Sequence, residues 1–284
     1  MMTKYSALLV VLLLISCSNY GQLTFVSKLP KKLGENSGIV HLKDSTFWFI
    51  NDSGNSDKIY QANMQGDLLK EFRVDNAKNR DWEDLTSDEE GNVYIGDIGN
   101  NNSNRKDLVI YKIPNPHKEK GDHITAKKIK FHYPEQKKFP PKKKNLKYDA
   151  EAMFYRDGSI FIITKNRTKP FDGEAFIYKL PAKKGDHKAK LIASFTPCEE
   201  YATCRITSAD ISPDGSKIVL LSYGKLWVFS NFSGDDFTKG DISFINLGAT
   251  TQLESVCFLN NSTLILSDEK RGETGRNLYS FSLK

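Results

Sequence analysis

Five times along this chain an acid opens a short apolar strand, a tight turn follows, and a second strand ends on a polar residue. The clearest copy is Asp81-Trp82-Glu83-Asp84-Leu85-Thr86, followed by Gly91-Asn92-Val93-Tyr94-Ile95-Gly96-Asp97. Counted from Glu35, Glu83, Glu151, Asp210 and Glu254, the copies are 48, 68, 59 and 44 residues apart. Periods of about 40–50 residues, rich in strands and without helical periodicity, are those of four-stranded propeller blades. The two longer intervals then carry insertions. The expected fold is all-β, a five-bladed β-propeller over residues 23–284 as one domain, with six blades as the alternative if the insertion at Lys127–Lys147 hides one.

The ends of the chain agree with a closed ring. Leu23–Leu29 has strand character and precedes the first copy, while the last copy supplies only three strands, Ser255–Phe258, Thr263–Leu266 and Asn277–Leu283. Pairing the orphan strand with the last blade removes an unpaired seam. Before this domain, Lys4 and the apolar run Ala7–Ile15 read as a signal peptide over residues 1–16. Leu14-Ile15-Ser16-Cys17 resembles a bacterial lipoprotein processing site. That likeness implies an acylated Cys17, a short tether over 17–22, and a domain held at a membrane without crossing it. Ser18 next to the cysteine fits the sorting pattern of outer-membrane lipoproteins facing the periplasm.

Removing residues 1–16 lowers the formal charge from +6 to +5. The excess is local, because nine lysines and one acid, Glu135, lie between Lys127 and Lys147. Nucleic-acid binding is the sharp reading of such a run. A solvated insertion with edge-protecting lysines is the reading adopted, so no nucleic-acid partner is expected. Cys198 and Cys204 bracket a five-residue loop that an exported compartment allows to be bridged. Cys257, in Ser-Val-Cys-Phe, reads as a small core residue.

The chemistry is expected at one mouth of the propeller. First strands line the channel, so Glu35, Glu83, Glu151, Asp210 and Glu254 form a ring of acids, and crowded carboxylates cannot all stay ionised without a counter-charge. Calcium, which takes several oxygens in a flexible geometry, resolves that conflict. The competing reading is structural, with the acids accepting backbone amides from neighbouring blades. From Glu83 to Asp97, Glu151 to Lys165 and Glu254 to Asp268 the step is fourteen residues each time. Out-and-back hairpins of that length return the second-strand ends to the same face. Asn51, Asp52, Asp97, Asn100, Lys165, Arg167 and Asp268 are therefore the expected ligand-binding residues. No Ser/His/Asp relay, phosphate loop or zinc spacing is present.

The segments Glu35-Asn-Ser-Gly, Asn51-Asp-Ser-Gly, Asp81-Trp-Glu-Asp, Gly96-Asp-Ile-Gly-Asn and Asp149-Ala-Glu-Ala resemble a family of exported bacterial propeller proteins. More distantly, the chain is similar to the calcium-activated nucleotidases (apyrases), five-bladed propellers with a central calcium. Their Tyr-Val-Gly-Gly strand end is similar to Tyr94-Ile-Gly-Asp97, and their Tyr-Glu-Ser-Ala strand to Ala150-Glu151-Ala-Met. Their Asp-Asp-Arg-Thr-Gly blade end is similar to Asn51-Asp52-Ser-Gly. The resemblance implies calcium ligands at Glu83 and Glu151. It departs at Ser53, where the nucleotidases carry arginine. Two functions follow as expectations. One is an envelope lipoprotein, monomeric, binding a small anionic ligand or an envelope protein at a calcium-centred mouth. The other is a calcium-dependent hydrolase of phosphate esters, nucleotidase-like or phytase-like.

Overall fold

The computed structural model describes residues 20–42 and 44–283, so Cys17 and the expected signal peptide lie outside the described residues. A strand β1 (Thr24–Lys28) precedes the first blade, which holds β2 (Asn36–His41), β3 (Thr46–Asn51), β4 (Lys58–Asn63) and β5 (Leu68–Asp75). Blade two starts with β6 (Trp82–Ser87), β7 (Val93–Asp97) and β8 (Val109–Ile113), and the chain continues through β9 (His123–Thr125) and β10 (Lys127–His132). Blade three follows with β11 (Ala150–Arg156), β12 (Ser159–Thr164), β13 (Ala175–Pro181), the detour β14 (Gly185–Lys188) and β15 (Lys190–Phe195). Blade four is β16 (Ile206–Ile211), β17 (Lys217–Ser222), β18 (Lys225–Ser230) and β19 (Asp241–Asn246). Blade five is β20 (Leu253–Asn260), β21 (Thr263–Asp268) and β22 (Asn277–Ser282).

These strands form five sheets, and β1 completes the last one by pairing antiparallel with β22. The ring is a five-bladed β-propeller, closed by joining the N-terminal strand to the final blade. The inner strands β2, β6, β11, β16 and β20 touch in sequence around the axis, and β20 returns to β2. The lysine-rich insertion holds no sixth blade. It supplies β10 as the fourth strand of blade two, while β9 crosses back to lie parallel against β5. Blade three repeats the trade, sending β14 to lie parallel against β10.

Second strands are near-continuous apolar runs, such as Phe47-Trp-Phe-Ile50 and Ile160-Phe-Ile-Ile163, because each blade is covered on both faces by its neighbours. The result is five hydrophobic cores, one in each gap. Trp48 and Phe72 of blade one meet Trp82 and Tyr111 of blade two, all buried. Cys257 lies in the gap between blades five and one as a free, buried thiol.

Candidate functional site at the channel mouth

Each inner strand carries an irregularity at its first turn of pairing. The register slips between Asn36 and Gly38, Trp82 and Asp84, Ala150 and Ala152, Ile206 and Ser208, and Leu253 and Ser255. A bulge leaves one residue unpaired and re-aims its side chain. Those residues are Ser37, Glu83, Glu151, Thr207 and Glu254, and they are the equivalent positions of the five blades. Glu35 and Asp210 are therefore out of register with the other three expected acids. Glu35 lies one residue before its strand, exposed at the rim, where its carboxylate accepts the Asn55 amide at 2.6 Å. Asp210 lies deeper along its strand and accepts the Phe258 N–H of blade five at 2.7 Å.

The mouth is a cavity of about 230 Å³ with two poles. On one side Asp52, Asp81 and Glu83 bring carboxylate oxygens within 4.8 Å of one another. Glu83, only 6% exposed, has no hydrogen-bond or ion-pair partner among the described residues. Burial raises its pKa well above the usual value, and Glu151, Asp52, Asp81 and Asp149 add to the rise. Burial, with Asp52 and Asp149 nearby, also pushes Asp81 up to about 6. Asp52 is raised by burial too. Gly99 stands directly against this trio, where an added Cβ would strike the carboxylates of Glu83 and Asp81. Like charges are thus gathered with room between them.

A second trio, Glu83, Asp149 and Glu151, lies equally close, but two of its acids, Asp149 and Glu151, are already neutralised. Arg167 donates to Asp149 at 2.7 Å and to Glu151 at 2.8 Å, and Lys165 donates to Glu151. Burial opposes the charge on Lys165, but Glu151 and Glu254 outweigh it and hold the ammonium protonated. Lys165 also donates to Tyr223 at 3.1 Å, whose hydroxyl donates to Glu254 at 3.0 Å. The two cations expected to meet an anion are therefore engaged within the wall. Among the described residues lining the mouth, the cation without a carboxylate partner is Arg205, which donates to the Tyr201 carbonyl at 2.9 Å and lies 4.2 Å from that ring's centre. It follows directly on Cys204, bonded to Cys198, so the disulfide loop sets where this guanidinium stands.

Of the expected ligand-binding residues, Asp52, Lys165 and Arg167 line the mouth. The other four are buried beside it. Asp97 accepts the Asp81 N–H at 3.1 Å and pairs with Arg105 at 2.9 Å. Asp268 accepts the Asn277 N–H at 2.6 Å and the Tyr279 hydroxyl at 2.7 Å. Asn51 donates to the Lys32 carbonyl at 2.7 Å, and Asn100 accepts from the N–H groups of Asn104 and Arg105. The cause is register. Asp97 pairs with Trp82 and Asp268 with Leu253, but Ala150 pairs with Thr164, so Lys165 lies one residue beyond them. A step of one reverses the face. Asp81, Asp149, Arg205, Tyr223, Gln252 and Glu269 are mouth or rim residues that the acid count passed over. A polar residue flanking an inner strand's start was the signal for Asp81, Asp149, Arg205 and Gln252, and the residue just after a second strand was the signal for Tyr223 and Glu269.

No protein-family model matches the chain, and no curated protein matches its sequence. Among solved structures it is similar to the PQQ-bound form of aldose sugar dehydrogenase from Streptomyces coelicolor. The TM-score is 0.53 at 11% identity, over 92% of this chain and 98% of that one. The Dos1 propeller matches over 82% of this chain and 52% of that chain, with a TM-score of 0.40 and 12% identity. The likeness to the dehydrogenase is one of fold, a β-propeller.

Proposed function

We propose that the mouth is a binding site for a divalent cation and a small anionic ligand, with calcium the ion that suits an all-oxygen set. Glu83 carries the argument, as a nine-tenths-buried carboxylate without a partner, facing Asp52 and Asp81. Such a group stays charged only beside a cation, and protein cations are already taken up by Glu151 and Asp149. Asp52, Asp81 and Glu83 would hold the ion. Bound there, it would supply a Lewis-acidic centre toward which an anion's oxygens turn. Arg205, across the cavity, is placed to meet the rest of that anion. A protein tethered by a lipid at Cys17 in the bacterial envelope, binding as a monomer, is the setting this reading adopts. Among the described residues no helix is long and apolar enough to cross a membrane.

Hydrolysis of phosphate esters is the second reading. Glu269 favours it, since burial, with Glu254 and Asp52 adding to the effect, pushes its carboxyl up to about 7. That is the range in which a general acid or base works near neutral pH. Thermal unfolding in calcium and in chelator tests the binding site, using wild type and Glu83→Gln. A native-state ion at 100 times its Kd stabilises by about 2.7 kcal/mol. Wild type should rise and the variant should not. A wild type indifferent to calcium, magnesium and manganese would overturn the reading.

A further inference from the structure

We propose a second binding site, for a linear acidic polysaccharide, in a basic groove along the outer edge of blade two. The groove is a run of three adjoining cavities of about 360, 510 and 510 Å³. The first two share Lys106, Leu108 and Phe131, and the last two share Lys128, Lys130 and Asp186. The lysines that line it are Lys78, which pairs with Asp57 at 3.6 Å, and Lys106, Lys127, Lys128, Lys130, Lys137, Lys184 and Lys188. The last seven have no carboxylate partner among the described residues, whereas Lys58, Lys112, Lys147, Lys165, Lys179 and Lys225 each do. The groove's own acids do not cancel this charge. Asp107 is held by Arg80 at 2.7 Å and by Arg105 at 3.3 Å, and Asp97 by Arg105. That leaves Asp186, which lies beside Lys130 in the β14–β10 pairing.

Protection of a sheet edge does not account for all of these residues. β14, which carries Lys188, is the edge, but it covers β10 from Ile129 to His132, Lys130 included. The parallel addition of β14 instead brings Lys184 and Lys188 alongside Lys128, Lys130 and His132. Successive outward residues of a strand stand about 6.6–6.8 Å apart, and neighbouring strands about 4.8 Å, so these side chains form a two-row ladder, Lys128, Lys130 and His132 beside Lys184, Asp186 and Lys188, with the one acid between two lysines. A recessed ladder follows a chain of regularly spaced charges and does not fit a flat bilayer. Nucleic acid is disfavoured by the floor. Phe131 and Tyr111 are buried, Lys128 lies over the Tyr111 ring and Lys106 lies over the half-buried Phe139 ring, so bases find no open aromatic face on which to stack. A chain of sugar acids asks for no stacking face, and its repeated carboxylates match the lysines along the groove.

The test measures binding of polygalacturonate, and of single-stranded DNA of matched charge, to the purified protein at 50 and 200 mM salt. Lys128→Glu/Lys130→Glu is compared with Lys28→Glu/Lys31→Glu, two exposed lysines away from the groove, after melting curves show both variants folded. The expected result is binding of polygalacturonate that weakens with salt, falls at least tenfold in the groove variant, and is unchanged in the control. Tighter binding of the DNA, lost in the groove variant, would overturn the choice of ligand. Absence of binding to either polymer, or an equal loss in both variants, would overturn the groove itself. The mouth plays no part in this experiment, and the calcium response of the groove variant should match wild type.

Discussion

Glu83 and Asp84 are neighbours on one strand, equally acidic and both buried, yet their surroundings are opposite. Glu83 is aimed into the mouth with no donor to meet it. Asp84, fully buried, accepts the N–H groups of Leu85, Met153 and Ala209 and the hydroxyl of Ser208. Those donors belong to blades two, three and four, so one side chain ties three blades together at the axis. Burial raises the pKa of Asp84 as well, but the amide donors work against it. One position is satisfied by its own protein. The other is left for something else, and replacing each should separate fold from function.

The largest effect is expected at Asp84. Asp84→Ala removes the shared acceptor and orphans buried N–H groups from three blades, at about 1–3 kcal/mol each. A loss on the order of 3–5 kcal/mol in urea unfolding is the expected outcome. Glu83→Gln should leave metal-free stability unchanged or raise it, because it removes a crowded charge. If the two variants proved equally destabilised, the contrast between them would collapse.

Gly99→Ala comes next and bears on the empty side of the comparison. Its methyl group would meet the Glu83 and Asp81 carboxylates, forcing them apart. Overpacking of this kind typically costs about 1–3 kcal/mol. The calcium-induced rise in melting temperature should also shrink, and a full calcium response in Gly99→Ala would place the ion elsewhere.

Asp210 tests the satisfied side through pH. Burial, opposed by the N–H donors of Phe258 and Ile211, pushes its carboxyl up to about 7. The native state therefore holds a proton between about pH 4 and 7 that the unfolded chain has released, so this group's contribution falls as pH rises through that window. Asp210→Asn keeps an acceptor for Phe258 but cannot ionise. The difference in stability between wild type and variant should drift against wild type from pH 5 to 8, by about 1–2 kcal/mol after allowance for partial exposure. A flat difference curve would show that Asp210 stays ionised throughout.

The ring was readable from the repeats because a blade must bury both faces, and that demand writes continuous apolar strands at a fixed period. Closure was readable from an orphan strand at one end and a missing strand at the other. The site was only half readable. Glu83, Glu151, Asp52 and Lys165 stand where counting places them, but the count assumed hairpins of equal length. Blade three's hairpin is one residue shorter than that of blade two, which sends Asp97 into the interior and Lys165 to the mouth. The five bulges were invisible for a related reason. They depend on how strands pair, and Ser37 or Thr207 does not resemble an acid. The strand trades by β9 and β14 left little trace either, since strands of three or four residues, with Ile124 their one apolar side chain, are too short to carry a period.

Ser37 gives the smallest effect and the finest test. It occupies the bulge position of blade one, equivalent to Glu83, yet its hydroxyl donates to the Trp82 carbonyl of the next blade at 2.9 Å. Thr207 does the same to Leu253 at 3.0 Å. One backbone feature thus serves as a fastener in blades one and four and as a free acid in blade two. Ser37→Ala should cost about 0.5–1.5 kcal/mol, the worth of one hydrogen bond, and leave the calcium response intact. Should that response vanish with a single hydroxyl, Ser37 would belong to the ion's shell, and the fastened and open bulges would be two states of one site.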